Sequence, residues 1–336
     1  MKVHKTSTCV VLFLLCSISV YGQISPTYTQ YLNNQFLLNP ALSGIERYID
    51  IKLAHRNQWT GIEGNPKTTS LTAHMPIGRA YVAENALSFP TEGTNPFARA
   101  YAQHYIASDS HSGMGLQIQH DQAALLRRTD ALLAYAYHLK IHYRYNLAFG
   151  VQGGIAQTGL NHQRARPEQE NDPAIGQITN KLSPNLGAGI WLYGPRLFAG
   201  FSALQLVGNP MNFSSNTAIG KPKPNLFFTA GYKLFLLDGM ALIPSFMLKS
   251  IGNIPLTGDV NMKLAFNDRL WCGVGYRNKE SVSALAGINI SSLLNISYSY
   301  DSNVGAVRTL SSGSHEIALG VMLDNVAKAF NPQRYF

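Results

Sequence analysis

The chain has 336 residues, of which 46% are hydrophobic, 10% aromatic and only 13% charged, with a formal net charge of +9. A soluble domain ordinarily carries about twice that share of charged residues, and a disordered chain needs high charge and few aromatics, so neither class fits. Mean hydropathy is −0.04, and beyond the N-terminal region no stretch offers the roughly 18 uncharged, mostly apolar positions of a membrane helix. These values, with 29 Gly, 17 Tyr and 15 Phe, predict an all-β fold: a transmembrane antiparallel β-barrel of outer-membrane type, whose apolar residues are spread by alternation.

Residues 1–22 read as a secretory signal peptide. Lys2 and Lys5 precede an apolar run from Cys9 to Val20, and Gly22 supplies the small residue at the break. Cys16 invites a lipoprotein reading, but bulky Leu15 stands before it where that processing prefers a small residue. With Cys9 and Cys16 in the leader, Cys272 is alone and no intramolecular disulfide forms. Closed strand ladders, in which every backbone group is paired, then carry the stability.

Residues 23–48 are expected as a periplasmic N-terminal segment, followed by the barrel over 49–323. About fourteen alternating segments are legible, centred on 49–57, 67–76, 113–121, 129–140, 145–157, 183–193, 196–207, 225–236, 240–249, 257–267, 269–278, 281–290, 293–301 and 313–323. Met114, Leu116 and Ile118 alternate with Gln117, Gln119 and Asp121; Val260, Met262, Leu264 and Phe266 with Asp259, Asn261 and Lys263; Ile296, Tyr298 and Tyr300 with Asn295, Ser297 and Ser299. A soluble sandwich shows the same alternation with the faces reversed; the leader and the low charge favour the barrel, with apolar residues toward lipid. An even strand number returns both termini to the periplasmic side. Periplasmic links are then short (141–144, 194–195, 237–239, 267–268, 291–292), whereas 158–182 and 208–224 are long external loops. Residues 77–112 break this rule and read as a periplasmic insert or as a hidden, mispaired strand. The tail 324–336 ends in Tyr335-Phe336, either an aromatic insertion signal or, lying beyond Pro332, a periplasmic tail.

Two N-terminal motifs stand out. One runs Tyr28-Thr29-Gln30-Tyr31 to Asn39-Pro40-Ala41-Leu42-Ser43-Gly44; the other runs Arg56-Asn57-Gln58-Trp59-Thr60-Gly61 to Pro66-Lys67-Thr68. With Tyr135-Ala136-Tyr137, Pro184 to Gly189 and Gly313-Ser314-His315-Glu316-Ile317 in the same order, the mature chain resembles the PorP/SprF family of type IX secretion outer-membrane proteins. Asn39, Pro40, Gly44, Arg56, Gln58, Trp59, Gly61, Pro66, Gly313, Ser314, His315 and Glu316 are the positions that carry the resemblance, as structural or partner-docking residues. Physically, Asn39 to Gly44 reads as a turn, Trp59 as a girdle residue, and Arg56 as paired inside the barrel with a carboxylate such as Asp50 or Glu63; the other reading is an external lip that docks a partner.

Enzyme signatures are missing. In a strand, His315 faces away from Ser314 and Glu316, and Leu319 stands where a zinc motif opening at His315-Glu316 needs histidine. No phosphate-binding loop or nucleic-acid platform is present; no cofactor or metal is expected. The resemblance implies a non-enzymatic component of the type IX secretion and gliding machinery that helps secrete, anchor or display specific cargo. Its expected partners are other secretion components, an OmpA-like peptidoglycan-binding lipoprotein, a surface cargo or adhesin, and the bilayer. The rival readings are a porin or hydrophobic-solute channel and an outer-membrane phospholipase.

Overall fold

The computed structural model describes residues 28–78, 105–160, 181–207, 224–237, 239–252, 255–267, 269–304 and 306–325. Residues 1–22, read above as a signal peptide, the centres of the long loops and Tyr335-Phe336 lie outside these residues.

Fifteen strand segments form one antiparallel sheet: β1 (Ile49–Asn57), β2 (Lys67–Ile77), β3 (His111–Ala123), β4 (Leu126–His142), β5 (Tyr145–Leu160), β6 (Lys181–Tyr193), β7 (Leu197–Leu204), β8 (Asn225–Tyr232), β9 (Leu234–Leu237), β10 (Met240–Ser250), β11 (Thr257–Phe266), β12 (Leu270–Arg277), β13 (Ser281–Asn289), β14 (Leu294–Asn303) and β15 (Ser314–Leu323). β8 and β9 both pair with β10 and make one crossing interrupted at Lys233. The wall therefore has fourteen crossings, and it closes because β1 pairs with β15 and β10 with β11. Closure removes every sheet edge, which is the condition for a sheet to stand in lipid.

Alternation assigns the faces. In β14, Asn295, Ser297, Ser299, Asp301 and Asn303 are buried within the barrel, while Tyr298 and Tyr300 are exposed on its outside. Val260 and Met262 of β11 face out and Asp259, Asn261 and Lys263 face in, in the phase read from the sequence. Cys272 is exposed on the outer wall. Every acidic residue carried by a strand (Asp50, Asp121, Asp130, Asp259, Asp301, Glu316) falls in the inward phase.

β2 and β3 pair directly from Lys67↔Gln122 to Ile77↔Ser112, and residues 79–104 of the long connection between them lie outside the described residues. Its described return, residues 105–110, lies across the periplasmic end. Ala107 N–H donates to the Tyr143 carbonyl at 2.8 Å, and Asn146 Nδ2 donates to that of Ser108 at 2.8 Å.

Residues 28–48 require a correction. Expected in the periplasm, they lie inside the barrel, and from Thr29 to Gly44 every residue is buried. The physical reason is the interior of β6–β12. Its inward positions include Trp191, Tyr193, Phe198, Phe227, Ile243, Met247 and Trp271, which would be wetted in an open lumen. They instead form one core with Tyr31, Leu32, Phe36, Leu38, Ala41 and Leu42 of the N-terminal segment. Burying each large apolar side chain of this kind contributes about 1.5–3 kcal/mol.

Candidate functional site

The N-terminal segment is a plug, and its two ends are held by different chemistry. At the periplasmic end, a 3₁₀ turn over Gln35–Leu37 packs against a second over Pro40–Leu42, which packs onto β4, β5 and β6. Pro40 starts the second turn, where its missing N–H costs nothing. Asn39 Oδ1 caps it by accepting the Ala41 N–H at 3.0 Å. The other half of that amide donates to the carbonyls of Ile190 (3.0 Å) and Phe201 (3.3 Å), at the β6–β7 wall. Ser202 Oγ donates to the Leu38 carbonyl at 2.5 Å. The wall is cut away to admit this turn: a Cβ on Gly150 would lie 2.2 Å from Ala41 N, and one on Gly189 would lie 2.1 Å from Asn39 Oδ1. Below it, His138 Nε2 donates to the Ser43 carbonyl at 2.8 Å, and Tyr193 hydroxyl meets His138 Nδ1 at 2.9 Å. Gly44 adopts φ +76 as the chain turns into β1.

At the external end the hold is ionic. Arg56 reaches inward from the last turn of β1 and places Nη2 2.6 Å from Asp301 Oδ2, and Nη1 3.0 Å from Glu316 Oε2. Thr29 sits between them. Its N–H donates to Glu316 Oε2 at 2.9 Å, its hydroxyl donates to Asp301 Oδ2 at 2.6 Å, and Thr29 Oγ1 itself accepts from Arg56 Nη1 at 2.6 Å. Arg56, Asp301 and Glu316 are at most 3% exposed. Two strands over from β14, Arg277 donates to the Tyr28 carbonyl at 3.0 Å while pairing with Asp259, which Lys249 also contacts. Between the two ends, Gln30 bonds Ser297 and the Glu316 carbonyl, Asn33 bonds Ser297, and Asn34 bonds Thr72. Asn261 Nδ2 donates to the Tyr31 hydroxyl at 2.8 Å.

The sequence-derived positions separate into three places. Asn39, Pro40 and Gly44 form the lower knot; Arg56, Ser314 and Glu316 face the lumen at the external end; Gln58, Trp59, Gly61, Pro66 and Gly313 belong to the external turns. The β1–β2 turn locks onto the start of β15: Thr60 N–H and Oγ1 both donate to the Gly313 carbonyl at 2.8 Å, Ser312 N–H donates to Thr60 O at 2.8 Å, and Trp59 N–H donates to Ser314 Oγ at 3.1 Å. Arg56 pairs with Asp301 and Glu316 rather than with Asp50 or Glu63. Asp50 is held by Lys52 at 2.7 Å on the same strand, and Glu63 is exposed in the turn. His315 points outward to Tyr298 at 2.6 Å, while Ser314 and Glu316 point in, so the three do not converge. Thr29, Tyr31, Asn33 and Asp301 were missed as members of the site. The signal that pointed to them was the Tyr28–Tyr31 motif itself, too polar for a strand and without the periodicity of a helix.

A closed fourteen-stranded barrel with a lipid-facing apolar wall, filled by its own N-terminal segment, defines an integral outer-membrane β-barrel protein. Residues 20–321 match the family model described as type IX secretion system membrane protein PorP/SprF, and the chain belongs to that family. No curated protein matches it. Among solved structures, the Acinetobacter baumannii outer membrane protein Omp33 is 8% identical, with 84% of this chain and 99% of that chain covered and a TM-score of 0.46. The beta domain of the Bordetella autotransporter Brka is 10% identical, covering 82% and 98% of the two chains at a TM-score of 0.34. The family is a membrane component of type IX secretion and of a non-enzymatic kind.

Proposed function

We propose that this barrel acts without chemistry of its own, as a plugged outer-membrane scaffold of the type IX secretion system that helps secrete, anchor or display particular cargo proteins at the cell surface. The observation that supports this most is the filled lumen. A segment bonded to both ends of the barrel interior, and packed into a shared apolar core, leaves the wall, the external loops and the periplasmic face as the surfaces that do work. The filled lumen is not the open water-filled channel of a porin. The periplasmic face is the side on which an OmpA-like, peptidoglycan-binding lipoprotein would dock. The external loops are the side that meets cargo. Loop 158–182 carries Arg164, Arg166, Glu168, Glu170 and Asp172, a mixed-charge cluster in a charge-poor chain; with 208–224 it is a candidate rim on which charges select the partner.

The test is a strain lacking this chain, complemented with the full-length protein or with 161–180 replaced by a Gly-Ser turn. Loss of one or a few surface proteins on deletion, with bulk type IX secretion intact, is the expected result. The shortened barrel should insert normally and fail to restore those proteins. An unchanged surface proteome on deletion overturns the cargo role, and full rescue by the shortened barrel moves the docking surface to the periplasmic side.

A further inference from the structure

The plug leaves a recess on one side of the lumen. It lies in the external half, between Tyr28 and Leu38 of the plug and the inner face of β3 to β8, and measures about 50 Å³. Two other cavities beside the plug measure about 10 Å³ each, room for about one water. Side-chain amides converge on the larger one: Gln117 and Gln119 from β3, Gln152 from β5, Asn185 from β6 and Gln205 just past the end of β7. Phe227 and Leu132 supply apolar faces beside them.

Gln117 and Asn185 are 5% and 4% exposed, and Gln117 Oε1 and Asn185 Oδ1 are buried acceptors with no hydrogen-bond partner among the described residues. The groups around them are engaged. Tyr28 hydroxyl donates to Gln119 Oε1, and Gln119 Nε2 donates to Asp121 Oδ2 at 2.5 Å. Asn185 Nδ2 donates to Asp130 Oδ1 at 2.8 Å, and Arg128 pairs with the same carboxylate at 2.7 Å. A buried acceptor left without a donor carries its full desolvation cost, so the recess is built for something that donates. Gln205 adds a second sign. Its φ of +57 is left-handed backbone that a residue with a side chain rarely adopts, and such outliers cluster at functional sites. β7 stops at Leu204 and β8 starts at Asn225, so this side of the recess borders the external end of the wall.

We propose that the recess binds one neutral sugar residue of a glycan at the cell surface. A cation would use the oxygens alone and leave the amide N–H groups and the apolar faces idle. A sugar hydroxyl both donates and accepts, which matches side-chain amides that do the same. The C–H face of the ring packs on Phe227, so a few placed polar groups sit among apolar ones, as ligand sites require. At roughly 10–15 Å³ for each water, the recess takes about four waters, or the hydroxyl-bearing edge of one ring in their place. The inference goes beyond the cargo role, which uses the loops and outer faces, and stands independently of it.

The test uses the purified full-length protein in a detergent without sugar headgroups, and saturation-transfer NMR with methyl α-mannoside, methyl β-galactoside and methyl β-N-acetylglucosaminide as probes. At least one glycoside should take up saturation from the protein. Gln117→Met keeps the length of the side chain and removes the waiting acceptor, so binding of that glycoside should weaken about tenfold, the loss of one well-made hydrogen bond. The thermal midpoint of this variant should not fall, because the deleted oxygen has no partner to lose. A lowered midpoint would make the amide structural and overturns the proposal. If Gln117→Met does not fold, Gln205→Gly, which relieves the backbone and deletes one amide, should show the same loss of binding and decides the question. Transfer to none of the three glycosides, or equal binding by wild type and variant, leaves a water-filled recess and overturns the proposal. Delipidated surface polysaccharide and glycopeptides released from secreted proteins then compete for the site. Displacement of the glycoside by either supports the proposal and names the source; displacement by neither overturns it.

Discussion

Replacing Arg56 by alanine tests the external hold on the plug. The substitution removes the cation that lies 2.6 Å from Asp301 and 3.0 Å from Glu316, and leaves two carboxylates sharing Thr29 in a site that solvent barely reaches. Breaking a buried pair by deleting one partner costs about 3–5 kcal/mol, because the remaining charge stays uncompensated. The wall does not yield first, since β1, β14 and β15 keep their ladders. The site is relieved most cheaply when Thr29 withdraws and water enters, so the cost falls on residues 28–34. In a Cys272→Ser background, Leu32→Cys reports this opening through its rate of reaction with a charged maleimide. A bias of about 3 kcal/mol corresponds to more than a hundredfold in the open population, and labelling should accelerate on that scale. Adding Asp301→Asn and Glu316→Gln to the Arg56→Ala protein should return most of the protection, because no unpaired charge then remains. A labelling rate within twofold of the parent would falsify the assignment of this triad as the external latch.

Other outcomes follow from the wall. Gly150→Val should displace the Asn39–Ala41 turn, because a Cβ there would stand 2.2 Å from Ala41 N; the thermal midpoint of the purified barrel should fall by several degrees, and an unchanged midpoint would mean the turn does not seat on β5. Leu264→Arg should impair insertion by about 2–4 kcal/mol if its position is near the midplane. Lys263→Gln, its lumen-facing neighbour over the Trp271 ring at 4.7 Å, should be milder in the same refolding titration, and equal damage from both would contradict the strand phase. Cys272 in intact outer membranes should react with an apolar, membrane-permeant maleimide well ahead of a charged one; the reverse order would place it in water.

The wall was legible because lipid imposes a period of two on its outer face whatever the lumen holds, and all fourteen crossings fall on segments that alternate in the sequence. The interior followed no such rule. Trp191, Phe198 and Ile243 are apolar residues in the inward phase, and their presence in β6, β7 and β10 was the one available sign that something dry fills the lumen. The plug itself gives no periodic signal: Gln30, Asn33 and Asn34 are buried polar residues bonded to partners scattered over β2, β14 and β15, and from sequence they read as a loop. The partners of Arg56 were misread for a related reason. Asp50 and Glu63 are its near neighbours in sequence, whereas Asp301 and Glu316 meet it only because closure brings the last two strands beside the first; Glu316 is its registered partner across the β1–β15 seam.

The central claim is that residues 28–48 close the lumen in the folded protein, and single-channel recording of the purified full-length barrel in a planar bilayer tests it most directly. The account predicts insertion without a stable open level, the signature of a sealed barrel. A steady, ohmic conductance of the size expected for an unobstructed fourteen-stranded lumen would contradict it.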